Sequence, residues 1–348
     1  MQNATTHALP AALPADLPQN RSGSLTRAVP LVAALVLLAV FPMFGDSYYT
    51  GLVIKIMIYA VFALSLELLV GQTGLVCFGH AAFFGIAAYT AALLTPQAGP
   101  VSLFFLLPAA LLATALYALV TGALSLRTKG IYFIMVTLAF SQMAYFVFHD
   151  TKIGRGSDGI YLYFKPLVEF GGWAPFSLED GGTFYYFVLG ALVLTYAFLA
   201  MLLKSRFGHA LAGIRVNEQR MRAAGFSTFP YKLTAFVVSG TLAGLAGFLF
   251  ALKDGFVNPE FLSWHQSGAV LLMIILGGMG SLRGAVLGAF IFTMLQEVFQ
   301  SQEIFGDFAS HWNLSLGLAI IVLVALLPKG VIGLPAQLGA RFNKGTRP

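Results

Sequence analysis

Residues able to do chemistry are sparse in this chain of 348 residues, which holds 20 Lys and Arg, 14 Asp and Glu, six His and one Cys, Cys77. No Gly-x-x-x-x-Gly-Lys-Ser/Thr loop is present, so no P-loop is available to cradle ATP. No His-Glu-x-x-His pair and no Cys/His cluster offers a metal site, and Cys77 has no partner for a disulfide. Gly154-Arg155-Gly156-Ser157-Asp158-Gly159 has the glycine spacing of a dinucleotide loop. Its setting is wrong, a polar stretch with no strand before it and no βαβ unit around it; a tight glycine turn is the better reading. Four ionisable groups fall inside apolar stretches: Lys55, Glu67, His80 and Glu297. Lys55 sits near one end of its stretch and can snorkel to an interface. Glu67 lies near the other end, too far away to pair with it. His80 is expected to be neutral and hydrogen-bonded. An ion-driven carrier needs a carboxylate relay at mid-depth, and these positions leave the middle nearly charge-free.

The elements that must position such residues follow from composition. Hydrophobic residues make up 58% of the chain and charged residues 10%, against about 25% charged in an average soluble domain. Mean hydropathy is +0.82. No soluble fold of this size can hide so much apolar surface, so the chain is expected in a membrane. Apolar stretches recur at about 29–45, 51–70, 77–94, 101–125, 130–148, 184–203, 232–252, 265–280, 284–300 and 313–327. The runs are continuous rather than alternating, which favours helices over a barrel. The expected fold is therefore an all-α polytopic membrane protein of about ten transmembrane helices, with a membrane domain over 28–330. The stretches at 77–94 and 265–280 are short and glycine-rich, and are expected to be broken or tilted. Residues 1–27, rich in Ala, Pro and Thr, read as a disordered tail. They do not read as a secretory signal, because the apolar run starts only at Ala28 and no small-residue cleavage site follows. Residues 331–348 form a second tail.

Charge decides the orientation. With the N-terminus inside and sides alternating at each span, 15 of the 20 basic residues fall inside, and Lys152, Arg155, Lys165 and Lys253 fall outside. Lys and Arg are retained on the cytoplasmic side of membrane proteins, so both termini are expected there. The net charge of +6 is then a topology signal, and no nucleic-acid partner is expected. Two extramembrane segments are long: 149–183 outside and 204–231 inside.

Several motifs stand on these elements. Gly71-Gln72-Thr73-Gly74 interrupts the end of the second span, and His80 and Gly85 follow. Glycine breaks at membrane depth line transport sites, or this one is simply a turn between two spans. Leu68–Gly74 resembles Ile274–Gly280, through an old duplication or through chance. Thr137, Ser141 and Gln142 put a polar face on one span, which suits a neutral or zwitterionic solute path and equally suits hydrogen bonds between helices. Gly240, Gly244 and Gly247 have the small-x-x-x-small spacing that lets helix backbones approach in lipid. In the inside loop Asn217 can cap a short helix to about Ala224, Gly225 can end it, and Arg220 and Arg222 are expected to project into the cytoplasm. Such a helix is either a docking element or an electrostatic anchor to anionic lipid.

Taken together, Gly71–Gly74 with Phe78–Phe83, Leu126–Phe133, Gly156–Ile160, Asn217–Glu218 through Ala223-Ala224-Gly225 with Tyr231-Lys232, and Gly277–Ser281 resemble one family, the permease subunits of branched-chain amino-acid ABC importers of the LivM type. The resemblance runs from about residue 51 to about residue 330. It implies an ABC importer permease fold in the bacterial inner membrane, with no catalytic residue, metal or cofactor of its own. It also implies a sister permease of the LivH type, two ATP-binding subunits and a periplasmic amino-acid-binding protein, with membrane lipid around them. On that resemblance Asn217, Glu218, Arg220, Arg222, Ala223, Ala224 and Gly225 touch the ATPases. Gln72, Thr73, Gly74, His80, Thr137, Ser141 and Gln142 line the translocation path, and Arg155, Gly156, Asp158 and Gly159 dock the binding protein. In many ABC permeases the loop reads Glu-Ala-Ala-x-x-x-Gly; here Ala223-Ala224 directly precedes Gly225. The rival readings are a urea or amide permease of the same superfamily, an ion-coupled secondary carrier, and a membrane-embedded enzyme.

Overall fold

A computed structural model describes residues 33–43, 45–96, 99–170, 173–327 and 330–333. The expected tails, 1–27 and the part of 331–348 beyond Gly333, lie outside these residues. The chain divides into two compact units, one up to Phe44 and one from Gly45 onward. In the described residues the first unit is a single short apolar helix, α1 (Ala33–Met43).

The second unit is a helical bundle. Its helices are α2 (Ser47–Thr73), α3 (His80–Leu94), α4 (Leu103–Ser125), α5 (Ile131–Asp150), α6 (Gly181–Lys204), α7 (Arg206–Val216), α8 (Glu218–Ala223), α9 (Thr228–Asp254), α10 (Trp264–Gly277), α11 (Leu282–Gln300), α12 (Gln302–Phe305) and α13 (Trp312–Leu326). Among the described residues seven helical segments are long and apolar enough to cross a membrane: α2, α4, α5, α6, α9, α11 and the one built on α13. Three apolar helices are shorter: α1, α3 and α10. With 15 and 14 residues, α3 and α10 reach about 22 Å at 1.5 Å per residue, short of the roughly 30 Å of a hydrocarbon core.

Burial sorts the helices into a centre and a shell. In their most apolar windows α2 is 83% buried and α9 72%, against 28% for α4 and 22% for α5. α9 packs on α2, α3 and α4, and α3 and α4 also pack on each other and on α5. α10 and α11 pair with each other and lean on α2, and α6 covers another side of α2. The outer helices keep large apolar side chains on the surface, such as Leu112, Leu116, Tyr132, Leu194 and Ile321. In lipid that costs nothing, because the solvent is itself apolar.

Close backbone approach is what glycine contributes to this packing. A Cβ on Gly247 of α9 would lie 1.9 Å from the Phe84 carbonyl oxygen of α3. At Gly240 it would meet Ala118 Cβ at 2.8 Å, and at Gly244 Thr114 Oγ1 at 2.8 Å. The same device joins α10 to α11, where a Cβ on Gly288 would sit 1.8 Å from the Met273 carbonyl oxygen. In lipid, where apolar contact with a neighbour gains little over contact with a tail, such fit sets which helices meet.

The bundle is helical as expected, and the chain outside its helices adds short strands. Four short strands are present: β1 (Ile160–Tyr161), β2 (Val168–Phe170), β3 (Trp173–Phe176) and β4 (Phe256–Val257). β1 pairs antiparallel with β4, Ile160 opposite Val257, and β2 with β3. The reason is backbone hydrogen bonding. Residues 160–170 and 173–176 lie outside the helices, so their N–H and C=O groups need partners elsewhere. Gly154–Gly159 forms the turn that delivers them, with φ of +67° at both Gly156 and Gly159.

Candidate functional site

Most described basic residues gather at one end of the bundle, around α7, α8 and the turns 126–130 and 278–283, while Lys152, Arg155, Lys165 and Lys253 lie elsewhere. The site is built from that end inward. Ser205 Oγ accepts from Gly208 N at 3.4 Å to start α7, and Asn217 Oδ1 accepts from Arg220 N at 2.9 Å to start α8. Gly225, at φ +88°, stops α8 in a conformation that costs an L-residue energy. There Phe226 N–H donates to the Met221 carbonyl at 3.0 Å.

Glu218 anchors α8 to α9. Its Oε1 accepts from Arg222 Nη2 at 2.6 Å and from Thr228 Oγ1 at 3.0 Å, and its Oε2 accepts from Lys232 Nζ at 2.5 Å. Arg222 Nε also donates to Thr228 Oγ1 at 3.0 Å. Burial pushes the Glu218 carboxyl up, but Lys232, Thr228 and Arg222 outweigh it and hold it down at about 2. Arg222 therefore turns back toward α9 rather than projecting freely as the sequence suggested. Arg220, Ala223, Ala224, Gly225 and Phe226 are exposed, and the Arg220 guanidinium has no ion pair among the described residues.

Above this knot lies a second cluster. Arg215 of α7 reaches across Gly74, whose Cβ would be 3.5 Å from Arg215 Cγ, and donates to the Gly71 carbonyl of α2. Glu67, one turn back on α2, accepts from Gly280 N at 2.8 Å through Oε1, and Gln72 Nε2 donates to the Gly280 carbonyl at 3.4 Å. The Glu67 carboxylate fills the space a Gly71 side chain would need, since a Cβ there would lie 1.8 Å from Oε1. The two similar stretches, Leu68–Gly74 and Ile274–Gly280, thus meet in space. Thr73 is buried and donates to the Leu69 carbonyl at 2.6 Å, and Gly74 closes α2 at φ +73°. The signal for this cluster was in the sequence: a carboxylate one turn before a glycine, near the end of an apolar helix, must find a donor.

Residues 74–79 then run back into the bundle, and α3 begins at a fully buried position. His80 Nε2 hydrogen-bonds Ser65 Oγ at 2.8 Å, its ring stacks on Phe62 with centroids 5.4 Å apart, and Nδ1 has no hydrogen-bond partner among the described residues. Ala81 N donates to Ser267 Oγ of α10 at 2.9 Å, and Ser239 Oγ of α9 donates to the Ser65 carbonyl at 2.5 Å. Thr137 Oγ1 accepts from Phe78 N at 3.3 Å, and Ser141 Oγ donates to the Leu262 carbonyl at 3.0 Å. Both are thus engaged by the chain itself, the helix-to-helix alternative, while Gln142 is half-buried. The first turns of the two short helices, α3 and α10, meet here. Ser65, Ser239 and Ser267 were not singled out from the sequence, because a lone serine in an apolar run carries no periodic signal.

At the opposite end Arg155 is exposed at φ +58°, Asp158 is exposed, and Gly159 is buried against Val257. Asp180 caps α6 by accepting from Thr183 N and Oγ1 at 2.9 Å, which holds its carboxyl below the ordinary range. Lys165 lies 4.4 Å over the Phe184 ring, and burial lowers its pKa. Tyr48 donates to Glu297. Among the described residues no group of three or more His, Cys, Asp or Glu is placed to hold a metal.

Residues 48–327 match the family described as branched-chain amino acid transport system / permease component. The high-affinity branched-chain amino acid transport system permease protein LivM of Escherichia coli (strain K12) is 34% identical over 321 residues, covering 87% of this chain and 74% of that protein. LivM of Salmonella typhimurium (strain LT2) is 33% identical over the same shares. The autoinducer 2 import system permease protein LsrC of Escherichia coli O157:H7 is 25% identical over 334 residues, 92% of each chain. No solved structure matches. With a multi-pass helical bundle and a match over most of its length, the chain belongs to the family of permease components of branched-chain amino acid transport systems, as a LivM-type permease.

Proposed function

We propose that this chain is the inner-membrane permease subunit of an ATP-driven importer for branched-chain or related amino acids. It spans the bacterial inner membrane about ten times, with both termini and the α7–α8 loop in the cytoplasm and residues 149–183 in the periplasm. A LivH-type sister permease completes the path, two ATP-binding subunits dock from below, and a periplasmic binding protein delivers the amino acid. The identity to two LivM proteins favours branched-chain substrates over the signal molecule named for LsrC, to which identity is lower.

One observation carries this reading. α8 is fastened to α9 by Glu218 while Arg220 and Ala223 through Phe226 face outward. A rigidly tethered, exposed helix is how a membrane domain without its own nucleotide site can be moved by another subunit. The short helices α3 and α10, whose first turns meet inside the bundle, support the path. Discontinuous helices at depth recur where transporters bind solute. Transport proceeds by alternating access, and ATP hydrolysis biases it only through docking that differs between the two states. Arg155, Gly156, Asp158 and Gly159 receive the binding protein at the other face.

The test is leucine uptake into proteoliposomes. The chain purified alone should concentrate nothing. The complex with its partner subunits should concentrate leucine when ATP is supplied, and Arg220→Glu should lower uptake per ATP hydrolysed. Uphill uptake by the lone chain on an ion gradient would overturn the proposal.

A further inference from the structure

The importer reading leaves open how a displacement of α8 reaches the helices that would line the path. The geometry points to a clasp of Arg215, Gly71, Glu67 and Gly280, with Arg215 as the positioning residue that carries the movement of the α7–α8 loop to α2 and to the α10–α11 turn. This inference rests on that reading.

Three contacts make the clasp. Arg215, two residues before the α8 cap Asn217, donates to the Gly71 carbonyl. That carbonyl lies in the last turn of α2, whose forward partner would be Leu75. Leu75 N–H instead donates to the Leu69 carbonyl at 3.1 Å, so the Gly71 oxygen is free to take an external donor. Glu67 accepts from Gly280 N at 2.8 Å, and Gln72 donates to the Gly280 carbonyl at 3.4 Å, so both backbone groups of Gly280 are held by α2. The Arg215 guanidinium also stands beside this turn, 3.8 Å from where a Gly280 Cβ would be. α7 is therefore joined to α2 at the residue next to the one that grips the α10–α11 turn. α11 follows without slack: Ser281 Oγ accepts from Gly284 N at 3.1 Å, and α10 and α11 are in backbone contact through Gly277 and Gly284. α8 itself is tied by Glu218 to the first turns of α9. The loop side chain that hydrogen-bonds α2 among the described residues is Arg215, which is itself partly exposed. A buried half of the carboxylate, Glu67 Oε2, has no hydrogen-bond partner among the described residues. The clasp is thus held by three side-chain hydrogen bonds.

The experiment uses the complex purified through a tag on this chain, reconstituted in proteoliposomes, with leucine uptake and ATP hydrolysis measured together. Arg215→Ala should lower uptake per ATP by about tenfold, the size of a typical coupling between sites, with ATP hydrolysis retained. Arg215→Lys keeps a donor and should stay within about threefold of wild type. Gly71→Ala would place a methyl 1.8 Å from Glu67 Oε1, so it should uncouple alone. In a Glu67→Ala background there is room, and the double variant should be no worse than Glu67→Ala. This comparison decides the matter even if Arg215→Ala fails to assemble: additive losses at 67 and 71 would overturn the clasp. Arg220→Glu separates the two levels of the argument. If it uncouples and Arg215→Ala does not, the clasp is wrong and the importer reading stands; if neither changes uptake per ATP, both are wrong.

Discussion

Replacing Glu218 with Gln removes the one anion from a knot that holds two cations. The variant amide can still accept on Oε1 from Arg222 and Thr228, which lie at 2.6 and 3.0 Å. Its NH2 group would face the Lys232 ammonium, now 2.5 Å from Oε2, donor against donor. The depressed acidity sets the scale. From an ordinary value of 4.5 to about 2, at about 1.4 kcal/mol per unit, is roughly 3 kcal/mol. The Glu218 side chain is 22% exposed and that of Arg222 53%, so solvent screening brings the expected loss to about 1–2 kcal/mol. The sign follows from the direction of the displacement. A carboxylate held below its unfolded value stabilises fully above pH 4.5 and loses that stabilisation as pH falls toward 2. The knot is therefore indifferent to pH near neutrality. Hydrogen exchange read by mass spectrometry reports it directly, because the amides of Ala224, Gly225 and Phe226 are bonded within α8 and its cap. In Glu218→Gln they should exchange about tenfold faster at pH 7, since ~1.4 kcal/mol is a factor of ten. Adding Lys232→Met removes the stranded ammonium and should restore part of the protection. Unchanged exchange in Glu218→Gln, or a wild-type knot that loosens between about pH 8 and 6, would show that the ion pairs do not hold α8.

Other outcomes follow from single features of the bundle. Gly247→Ala forces a methyl to within 1.9 Å of the Phe84 carbonyl oxygen and should cost about 1–3 kcal/mol. Gly268→Ala, in open space, should be neutral or gain up to about 1 kcal/mol of helix propensity; thermal unfolding in detergent compares the pair. Gly159→Ala combines a φ of +67° with a methyl 2.4 Å from the Val257 carbonyl oxygen. It should open the β1–β4 pair and expose the backbone near 160 to proteolysis, leaving exchange in α8 unchanged. Cysteines placed at exposed Ser177 and Ala223 should be labelled by an impermeant maleimide from opposite sides, Ser177 from the periplasm. Labelling from the same side would break the proposed orientation.

Much of the architecture was legible without coordinates. Recurrent apolar runs, 101–125 the longest and 313–327 the shortest, in a chain with 10% charge leave no alternative to a membrane helix, because unpaired backbone cannot sit in lipid. Each of the ten runs contains a helix, and the two suspected of being broken are α3 and α10. Asn217 and Gly225 marked the ends of α8 for the same local reason: a side-chain acceptor and a left-handed φ act within four residues of themselves.

Partnership was decided by the tertiary structure alone. Glu67 and Gly280 are 213 residues apart, and Arg215 and Gly71 are 144 apart, so no local pattern announces either bond. Ser65, Ser239 and Ser267 became a polar junction only because α2, α9 and α10 converge on the first turn of α3. Sequence dictates which segments shun water and where each must start and stop, since those costs are local. Which buried donor meets which acceptor depends on how whole helices fit, and in a lipid-solvated bundle that fit is set by glycines whose missing Cβ admits one neighbour's backbone.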